Sequence, residues 1–518
     1  MTDYSFMKSC VCYSRELISM FGLINHSKNR TNNFKQSEGV MFCLREQPVN
    51  SEVASQENNT MNLHGHKILK SNSLFVCGSS SNLGYFSGCD LKEQEHGSDD
   101  AEQSKDDLLT PVQYPKNHVF RTNCEIVSVA CGASHTVFLT DDGRLFACGG
   151  NEYRQCGFEK RSNVLCELDE IDYFAINNIR VVDIVSKGFH TLFATDDGKV
   201  YSCGRNNWGQ LGIKTKSRYE QNIQLVCSDD GFENKKVVKM SSGYGHSAFL
   251  TEEGKVYSTG ANEFGQLGLG HYEHEDQPRL MNFGDQSEPI ISEVYSGYAF
   301  TMLLSNEGQV YAVGSNSGGQ LAIGIDVKKI HTPTMVVISA LTNKVVTHVS
   351  CGQFHTVFVT SDNEVYMSGR SVTTEDNLAP RVFAPERIKS FYNQNGKHFE
   401  HIPPISFASC GRRYTTFMTP DHDVYVMGRN LNGQLGYGGL NNCPEPRLIH
   451  FEQLKSVNKH THSVQVACGA NFCAYYTLLK KKFHLISHHF CRMDVILRRM
   501  ELDKECYSDI MITTQNVQ

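Results

Sequence analysis

The sequence lacks the features that mark a membrane-spanning protein or a general nucleic-acid binder. It contains no uninterrupted apolar run of about 18 residues, the length that a membrane-spanning helix needs. It also lacks an excess of positive charge, because 49 Lys and Arg stand against 56 Asp and Glu, for a net charge of −7. This balance argues against bulk electrostatic binding of nucleic acid. We therefore expect no membrane segment and no nucleic-acid partner.

A secretory signal is missing as well. Residues 1–23 contain neither a compact apolar segment nor a cleavage site of small residues. The chain has 19 cysteines, and we expect reduced thiols of a cytoplasmic or nuclear protein rather than disulfides, buried where they occupy repeat positions. Many of them precede one of two recurring glycines, at Cys131, Cys351, Cys410 and Cys468 for the first and at Cys77, Cys148 and Cys203 for the second.

What the chain does contain is a repeated β unit, seen most clearly in residues 237–268 (VVKMSSGYGHSAFLTEEGKVYSTGANEFGQLG). Three short apolar runs, at 237–240, 246–250 and 255–259, predict three strands. Gly254 supplies the positive φ that a tight hairpin between the second and third strands requires. Related copies lie at 127–157, 181–212, 294–324, 346–369 and 407–436.

The spacing of the copies predicts how they are arranged. A glycine ends the third strand of each copy, at spacings of 55, 56, 54, 55 and 59 residues: Gly149, Gly204, Gly260, Gly314, Gly369 and Gly428. Two half-copies flank these six, since residues 73–78 form a third strand alone and residues 464–478 form the first two strands alone. Complementary halves predict a composite unit that closes a ring. The predicted fold class is all-β, a seven-bladed β-propeller closed by a composite N/C-terminal blade.

The repeat motif resembles that of a known family. The pattern G-x-x-H-T, then D-G-x-V-Y, then C-G-x-N-x-x-G-Q-L-G is carried by Gly132 with His135 and Thr136, by residues 197–201 and by residues 203–212. It resembles the regulator of chromosome condensation repeat over roughly residues 71–479. The resemblance implies a seven-bladed propeller. A tryptophan-aspartate propeller fits less well, because this chain has one Trp and a period longer than about 40–45 residues.

The composition divides the chain into three parts. Residues 1–70 are rich in Asn, Ser and Gln, and we expect them to be mostly disordered, with a short helix near 15–23. Residues 71–479 form the propeller, interrupted by an acidic loop insertion at 90–107 that we interpret as a tolerated insertion on the rim. Residues 480–518 are expected to form a helical or linker extension. Its end, at 507–512 (YSDIMI), resembles the first strand of a BTB domain.

One copy departs from the repeat. After Gly369 the sequence lacks the Asn and the Gly-Gln-Leu-Gly of the other copies, and Asn363 stands where they have the turn glycine. Because Asn tolerates positive φ, we expect the hairpin to persist while the loop that follows it differs.

Recurring histidines might suggest catalysis or metal binding, but their pattern favours a structural role. His135, His190, His246 and His355 occupy a position that other copies fill with Phe300, Tyr414 and Phe472, so the position requires a flat ring. We expect the ring nitrogens to bind local backbone groups. A second group, His484, His488, His489 and Cys491, has spacing compatible with zinc ligands but no matching half-site. The sequence therefore predicts no catalytic residue, no cofactor and no metal.

The positions between the first glycine and the ring residue are expected at the strand entrances around the central opening, where function concentrates. They are Ala133, Ser134, Phe189, Tyr244, Gly245, Tyr298, Ala299, Gln353, Phe354, Arg412, Arg413, Ala470 and Asn471. Family members that exchange nucleotide on the small GTPase Ran place acidic residues at some of these positions, and a plant ultraviolet-B photoreceptor places several Trp there. Here none of the thirteen is acidic. The single Trp208 lies in a different loop, under which we expect it to pack.

The sequence thus favours a non-catalytic protein-interaction platform of this propeller family. The candidate partner-binding residues on the central-opening face are Phe189, Tyr244, Tyr298, Phe354, Arg412 and Arg413. Exposed aromatic rings and Arg are typical of protein-binding hot spots, and the alternative is that some rings fill the central channel. Two other functions stay open. One is a guanine nucleotide exchange factor for a Ran-like small GTPase; the other is the substrate-binding part of a BTB/cullin ubiquitin-ligase adaptor.

Overall fold

The computed structural model describes residues 74–78, 110–111, 125–158, 163–284, 288–336, 341, 344–370, 372, 381–399, 401–437, 439–449 and 462–479. Our expectations for the N-terminal segment 1–70, the acidic insertion 90–107, the extension 480–518 with its BTB-like end, and the His484–Cys491 group all fall outside these residues. In the described part of the chain, no helix is both long and apolar enough to cross a membrane.

Seven four-stranded antiparallel sheets form the described structure. We number the blades in chain order. The first two strands of the chain, β1 (Leu74–Gly78) and β2 (Thr110–Pro111), belong to the last blade. Blade 1 contains β3 (Ile126–Cys131), β4 (His135–Thr140), β5 (Leu145–Gly150) and β6 (Val164–Glu170).

Blades 2 and 3 follow the same order. Blade 2 contains β7 (Val181–Ser186), β8 (His190–Thr195), β9 (Val200–Arg205) and β10 (Tyr219–Leu225). Blade 3 contains β11 (Val237–Ser242), β12 (His246–Thr251), β13 (Val256–Gly260) and β14 (Glu275–Leu280). A short helix α1 (Tyr173–Ile176) precedes blade 2, and a 3-10 turn (Phe232–Asn234) precedes blade 3.

Blades 4 to 6 repeat the pattern. Blade 4 contains β15 (Ile291–Ser296), β16 (Phe300–Ser305), β17 (Val310–Ser315) and β18 (Lys329–Met335). Blade 5 contains β19 (Val346–Cys351), β20 (His355–Thr360), β21 (Val365–Arg370) and β22 (Arg381–Arg387). Blade 6 contains β23 (Phe407–Cys410), β24 (Tyr414–Met418), β25 (Val424–Gly428) and β26 (Cys443–Leu448).

The seventh blade joins the two ends of the propeller. Its strands β27 (His462–Cys468) and β28 (Phe472–Leu479) pair with each other, and β28 pairs with β1, for example Val76 with Ala474. The first strands of successive blades contact one another all the way round, including β27 with β3. The prediction of a seven-bladed ring closed by a composite blade is confirmed.

The turn chemistry explains the local hairpins. Gly254 has a φ of 77°, as a tight turn between β12 and β13 requires, and its N–H donates to Thr251 O at 2.9 Å. In blade 5, Asn363 takes the same place with a φ of 60°, and β20 and β21 pair in full register. The expectation that this hairpin survives the loss of its glycine is confirmed.

The core lies between blades. The second strand of blades 1 to 6 is buried at every position, so both faces of each sheet are covered. Seven hydrophobic clusters each combine residues of two adjacent blades, such as Phe138 with Ala474 and Phe193 with Val137. Eleven described cysteines are free thiols and most are buried, as the sequence predicted. Packing therefore extends continuously around the ring and makes it a rigid support.

Candidate functional site

One end of the propeller collects the loops that precede the second strand of each blade. Because successive strands are antiparallel, the loops between the third and fourth strands open at this same end, while the connections between blades lie at the opposite end. We call the end with the strand-entrance loops the entrance face. It includes all thirteen positions that the sequence singled out.

In six of the seven blades, the entrance loop begins with a glycine that close packing requires. In blade 1, Gly132 N–H donates to His135 O at 2.9 Å, and a Cβ on Gly132 would lie 2.2 Å from the His135 ring. In blade 6, a Cβ on Gly411 would lie 1.9 Å from the Tyr414 ring. A flat ring thus packs directly over a residue that has no side chain, and the motif needs both.

The recurring histidines link neighbouring blades. The Nε2 atom of His135 lies 2.8 Å from Thr191 Oγ1 of blade 2, and that hydroxyl donates its own proton to Gln155 O at 2.7 Å. Since the hydroxyl proton is already used, the imidazole Nε2 must be the donor. Equivalent bonds join His190 to Ser247, His246 to Thr301 and His355 to Thr415.

These contacts confirm the structural role of the histidines and correct one detail. The Nε2 atoms bind hydroxyl groups of the next blade rather than local backbone groups, because each second strand packs against the following blade. Burial lowers the pKa of His135, His246 and His355 to about 3 and that of His190 to about 4. A neutral ring with its donor engaged at neutral pH is poorly suited to acid–base catalysis.

A cavity of about 250 Å³ opens at the centre of the entrance face. Its walls come from blades 1 to 7 and are formed by Ala133, Ser134, Lys187, Phe189, Tyr244, Tyr298, Gly352, Gln353, Gly411, Arg412, Cys468, Gly469, Ala470 and Asn471. Four of the six candidate residues are among them: Phe189, Tyr244, Tyr298 and Arg412. No lining residue is acidic.

The two remaining candidates lie beside the cavity rather than in its wall. Phe354 is half-buried, and the Arg370 guanidinium lies 5.6 Å from the centre of its ring. Arg413 donates from Nε to Gln353 Oε1 at 3.3 Å. Gln353 also accepts from Arg412 Nε at 3.2 Å, so one buried amide oxygen holds both arginines near the rim.

Aromatic rings form a connected cluster along one side of the cavity. Tyr244 and Tyr298 stack with centroids 4.2 Å apart and an interplanar angle of 18°. Phe189 meets Tyr244 edge-on at 5.6 Å. All three rings are half-buried, so each contributes both packing and accessible surface. Burial, and then the neighbouring Tyr244, raise the pKa of Tyr298 to about 12.

Trp208 lies next to this cluster, which the sequence did not predict. Its ring centroid is 6.3 Å from that of Tyr244, and a Cβ on Gly245 would lie 2.6 Å from the indole. Arg205 stacks over the indole at 4.5 Å. Instead of packing beneath its own loop, the indole extends to the neighbouring blade, because third-to-fourth strand loops open at the entrance face.

Sequence reasoning also missed Lys187. Three residues before the ring residue, Lys187 takes the place of the glycine that begins the loop in the other six blades, and Gly188 follows it. Here Ser186 Oγ donates to His190 O at 3.0 Å. Lys187 Nζ crosses the channel to the carbonyl oxygens of Ser296, at 2.8 Å, and of Cys351. Burial lowers its pKa. The sequence signal that could have identified Lys187 is the replacement of a repeat glycine by lysine at this one position.

A thiol also reaches the cavity. Cys468 is half-buried, and its Sγ lies 3.5 Å from Cys473 Sγ, directly across the β27–β28 hairpin. Burial by itself would raise the pKa of the Cys468 thiol, but hydrogen bonds, the strongest with Cys473, outweigh it and lower the pKa to about 7. The described residues include no group of three or more His, Cys, Asp or Glu side chains arranged to hold a metal ion.

Comparison with known proteins identifies what this architecture is similar to. The sequence profile of the RCC1-like domain matches residues 73–475. The Arabidopsis thaliana ultraviolet-B receptor UVR8 is 30% identical over 329 residues, which cover 63% of this chain and 70% of the receptor. The human probable E3 ubiquitin-protein ligase HERC4 is 28% identical over 337 residues, 64% of this chain but only 30% of the ligase.

Solved structures share the fold. Human WBSCR16 superposes with a TM-score of 0.61 at 23% identity, covering 79% of this chain and all of that one. Prp20p from Saccharomyces cerevisiae, whose structure was described together with its binding to Gsp1p and histones, has a TM-score of 0.62 at 19% identity, covering 84% of this chain and 95% of that one. At these identities, the likeness is one of fold.

Proposed function

The chain belongs to the RCC1-like domain family, and from that premise we propose that it is a non-catalytic platform that binds a protein partner through its entrance face. The candidate contact residues are Phe189, Tyr244, Tyr298, Phe354, Arg412 and Arg413. The observation that carries the proposal is the half-buried Tyr244–Tyr298 stack beside the exposed Arg412 at an open cavity. Partly exposed aromatic rings with Arg are the usual anchors of protein interfaces.

The closed ring supports recognition by a rigid surface. The rings of Phe189, Tyr244 and Tyr298 restrain one another, and Gln353 restrains both arginines. Side chains ordered before binding lose less conformational entropy when a partner docks. A non-catalytic role agrees with the neutral, hydrogen-bonded state of the recurring histidines.

The other two functions have weaker support. A guanine nucleotide exchange factor for a Ran-like GTPase is suggested by the fold of Prp20p, but the cavity wall contains no acidic residue. A part in ubiquitin ligation is suggested by the name of HERC4, of which this chain matches 30%. Neither has an observation at the entrance face in its favour.

Quantitative affinity capture from cell lysate tests the proposal. The full chain is compared with Tyr244→Ala plus Arg412→Ala on the entrance face. Ile290→Ala plus Lys397→Ala is the matched control, since both residues are exposed on connections between blades at the opposite end. We expect specific partners to be lost from the entrance-face variant and retained by the control.

The result is interpreted only for variants whose thermal unfolding matches that of the unmodified chain. Equal capture of partners by all three proteins would indicate that the binding site lies outside the entrance face. Capture of a nucleotide-free small GTPase, lost in the entrance-face variant, would instead favour the exchange-factor alternative.

A further inference from the structure

Lys187 places a positive charge inside the central channel, where the other six blades place no side chain at all. The residues before the loop glycines, Ser296 and Cys351, supply the carbonyl oxygens that its ammonium binds. Tyr298 and Gln353, which follow those glycines, lie nearer the mouth. The ammonium therefore lies at the inner end of the cavity, one layer beneath the aromatic rings.

No carboxylate in the cavity wall balances the charge of this ammonium, and the Cys468 thiol, whose pKa is lowered to about 7, offsets it only in part. The two hydrogen-bond partners of the ammonium are neutral carbonyls, and none of the fourteen lining residues is acidic. Arg412, exposed at the rim, adds a second positive charge to the same cavity. Removing a cation from water costs free energy that neutral acceptors offset only in part. An anion that enters the cavity would therefore have a strongly favourable free energy of interaction with the ammonium.

Both cations have donors left for such an anion. An ammonium has three N–H groups, and two of those of Lys187 are directed at carbonyls, which leaves one. Arg412 uses Nε for Gln353, which leaves its terminal nitrogens as donors. A carboxylate, with two oxygens and one charge, needs few enough donors for one ammonium N–H and the terminal nitrogens of Arg412 to satisfy it. A phosphate, with three terminal oxygens and up to two charges, would leave more acceptors unpaired.

We propose that the partner inserts a glutamate or aspartate side chain into the central cavity, with its carboxylate between Lys187 and Arg412. The inference rests on the proposed function and adds the chemistry that the partner must present. Phe189, Tyr244 and Tyr298 line the path to the ammonium and would contact the methylene groups of the inserted side chain. The cavity of about 250 Å³ has room for one such side chain, and the flanking backbone would lie across the aromatic cluster.

The test selects peptides from a random displayed dodecamer library on the full chain and titrates synthetic copies. We expect the selected peptides to share an acidic residue at one position. Changing that Glu to Gln should weaken binding roughly 30-fold or more, as for the loss of one partner of a buried charge pair. On a Lys187→Gly chain, the preference for Glu over Gln should fall markedly, because Arg412 is then the only cation left in the cavity wall.

The variants separate charge from folding. Lys187→Gly introduces the residue that the other six blades carry at this place, so we expect the variant to fold, and its thermal unfolding is compared with that of the unmodified chain. Lys187→Arg keeps a positive charge and should retain a preference for Glu over Gln. Lys397→Gly removes one exposed cation at the opposite end and should leave binding unchanged.

Each outcome decides between the two proposals. Peptides that lose binding with Tyr244→Ala but carry no acidic residue, or that bind Lys187→Gly as well as the unmodified chain, overturn this inference and leave the entrance-face platform standing. Peptides insensitive to Tyr244→Ala contradict the platform itself. A selected peptide that binds more tightly with phosphoserine in place of Glu would show that the site prefers phosphorylated partners and would overturn the carboxylate assignment.

Discussion

His246 Nε2–H of blade 3 donates a hydrogen bond to Thr301 Oγ1 of blade 4, at 3.1 Å. The Thr301 hydroxyl in turn donates a hydrogen bond to Gln266 O, at 2.8 Å. Burial disfavours the charged ring and lowers the pKa of His246 to about 3, so the ring is neutral at pH 7. Its unfolded pKa is near 6.5. Between these values the unfolded chain binds one more proton than the folded chain, so the stability falls as the pH falls below 6.5.

Replacing His246 by Phe should therefore reduce the acid sensitivity of the fold. Phe300 and Phe472 fill the equivalent position in other blades, so the ring site accepts Phe. From pH 7 to pH 5, we expect His246→Phe to lose about 2 kcal/mol less stability than the unmodified chain. Urea denaturation at pH 7 and pH 5 measures the change in the free energy of unfolding. His398→Phe, at an exposed histidine, is the control. Equal pH dependence in all three proteins would refute the role of His246.

Gly352→Ala should be severely destabilising. A Cβ at Gly352 would lie 2.0 Å from the His355 ring, so the ring or the backbone must move. We expect a loss of more than about 3 kcal/mol, or no folded protein. Gly396→Ala is the comparison, because nothing lies within 4 Å of its Cβ and only its φ of 75° opposes the substitution, at about 1 kcal/mol. Similar melting temperatures for the two variants would contradict the packing argument.

Cys468 should be the most reactive thiol of the channel wall. Its pKa is lowered to about 7, whereas burial raises the pKa of Cys410 to about 11 and that of Cys351 further. Thiolates are the reactive species, so alkylation of Cys468 by iodoacetamide should rise through pH 7 and exceed that of Cys410. Peptide mapping by mass spectrometry measures both rates. Cys473→Ala removes the neighbouring thiol and should slow the alkylation of Cys468. An unchanged alkylation rate would exclude the hydrogen bond with Cys473 as the cause of the lowered pKa.

Closure of the ring should depend on β1. Its five residues pair with β28, and Cys77 Sγ donates to Gln434 O at 3.1 Å. Deleting residues 1–79 removes β1 and exposes an unpaired strand edge, so we expect early unfolding and aggregation. Deleting residues 1–70 leaves β1 in place and serves as the control. Thermal unfolding and size-exclusion chromatography compare the two, and equal behaviour would mean that the composite blade does not hold the ring together.

The fold could be predicted because the repeat makes each blade a local problem. Gly254 and Asn363 mark hairpins between strands that are neighbours in sequence, and the complementary halves at 73–78 and 464–478 leave one way to close the ring. The structural role of the histidines was also predictable, since Phe300 replaces His at an equivalent position. These inferences depend only on sequence periodicity and turn chemistry.

The candidate site was predicted only in part. Repeat alignment placed Phe189, Tyr244, Tyr298 and Arg412 at the opening, and all four line the cavity. It could not show that Phe354 and Arg413 lie beside the cavity, because both follow the same motif as residues that line it. Which of two adjacent loop residues points inward depends on how each loop packs against the next blade.

The sequence by itself determined the blades, their number and their order, because local periodicity and glycine positions encode them. Only the tertiary structure decided what meets at the centre. Lys187 binds Ser296, 109 residues away, because seven blades curve into a closed channel, and Trp208 reaches Tyr244 because loops from neighbouring blades open at one end. Contacts across a ring depend on its curvature and on side-chain length, which no repeat pattern records.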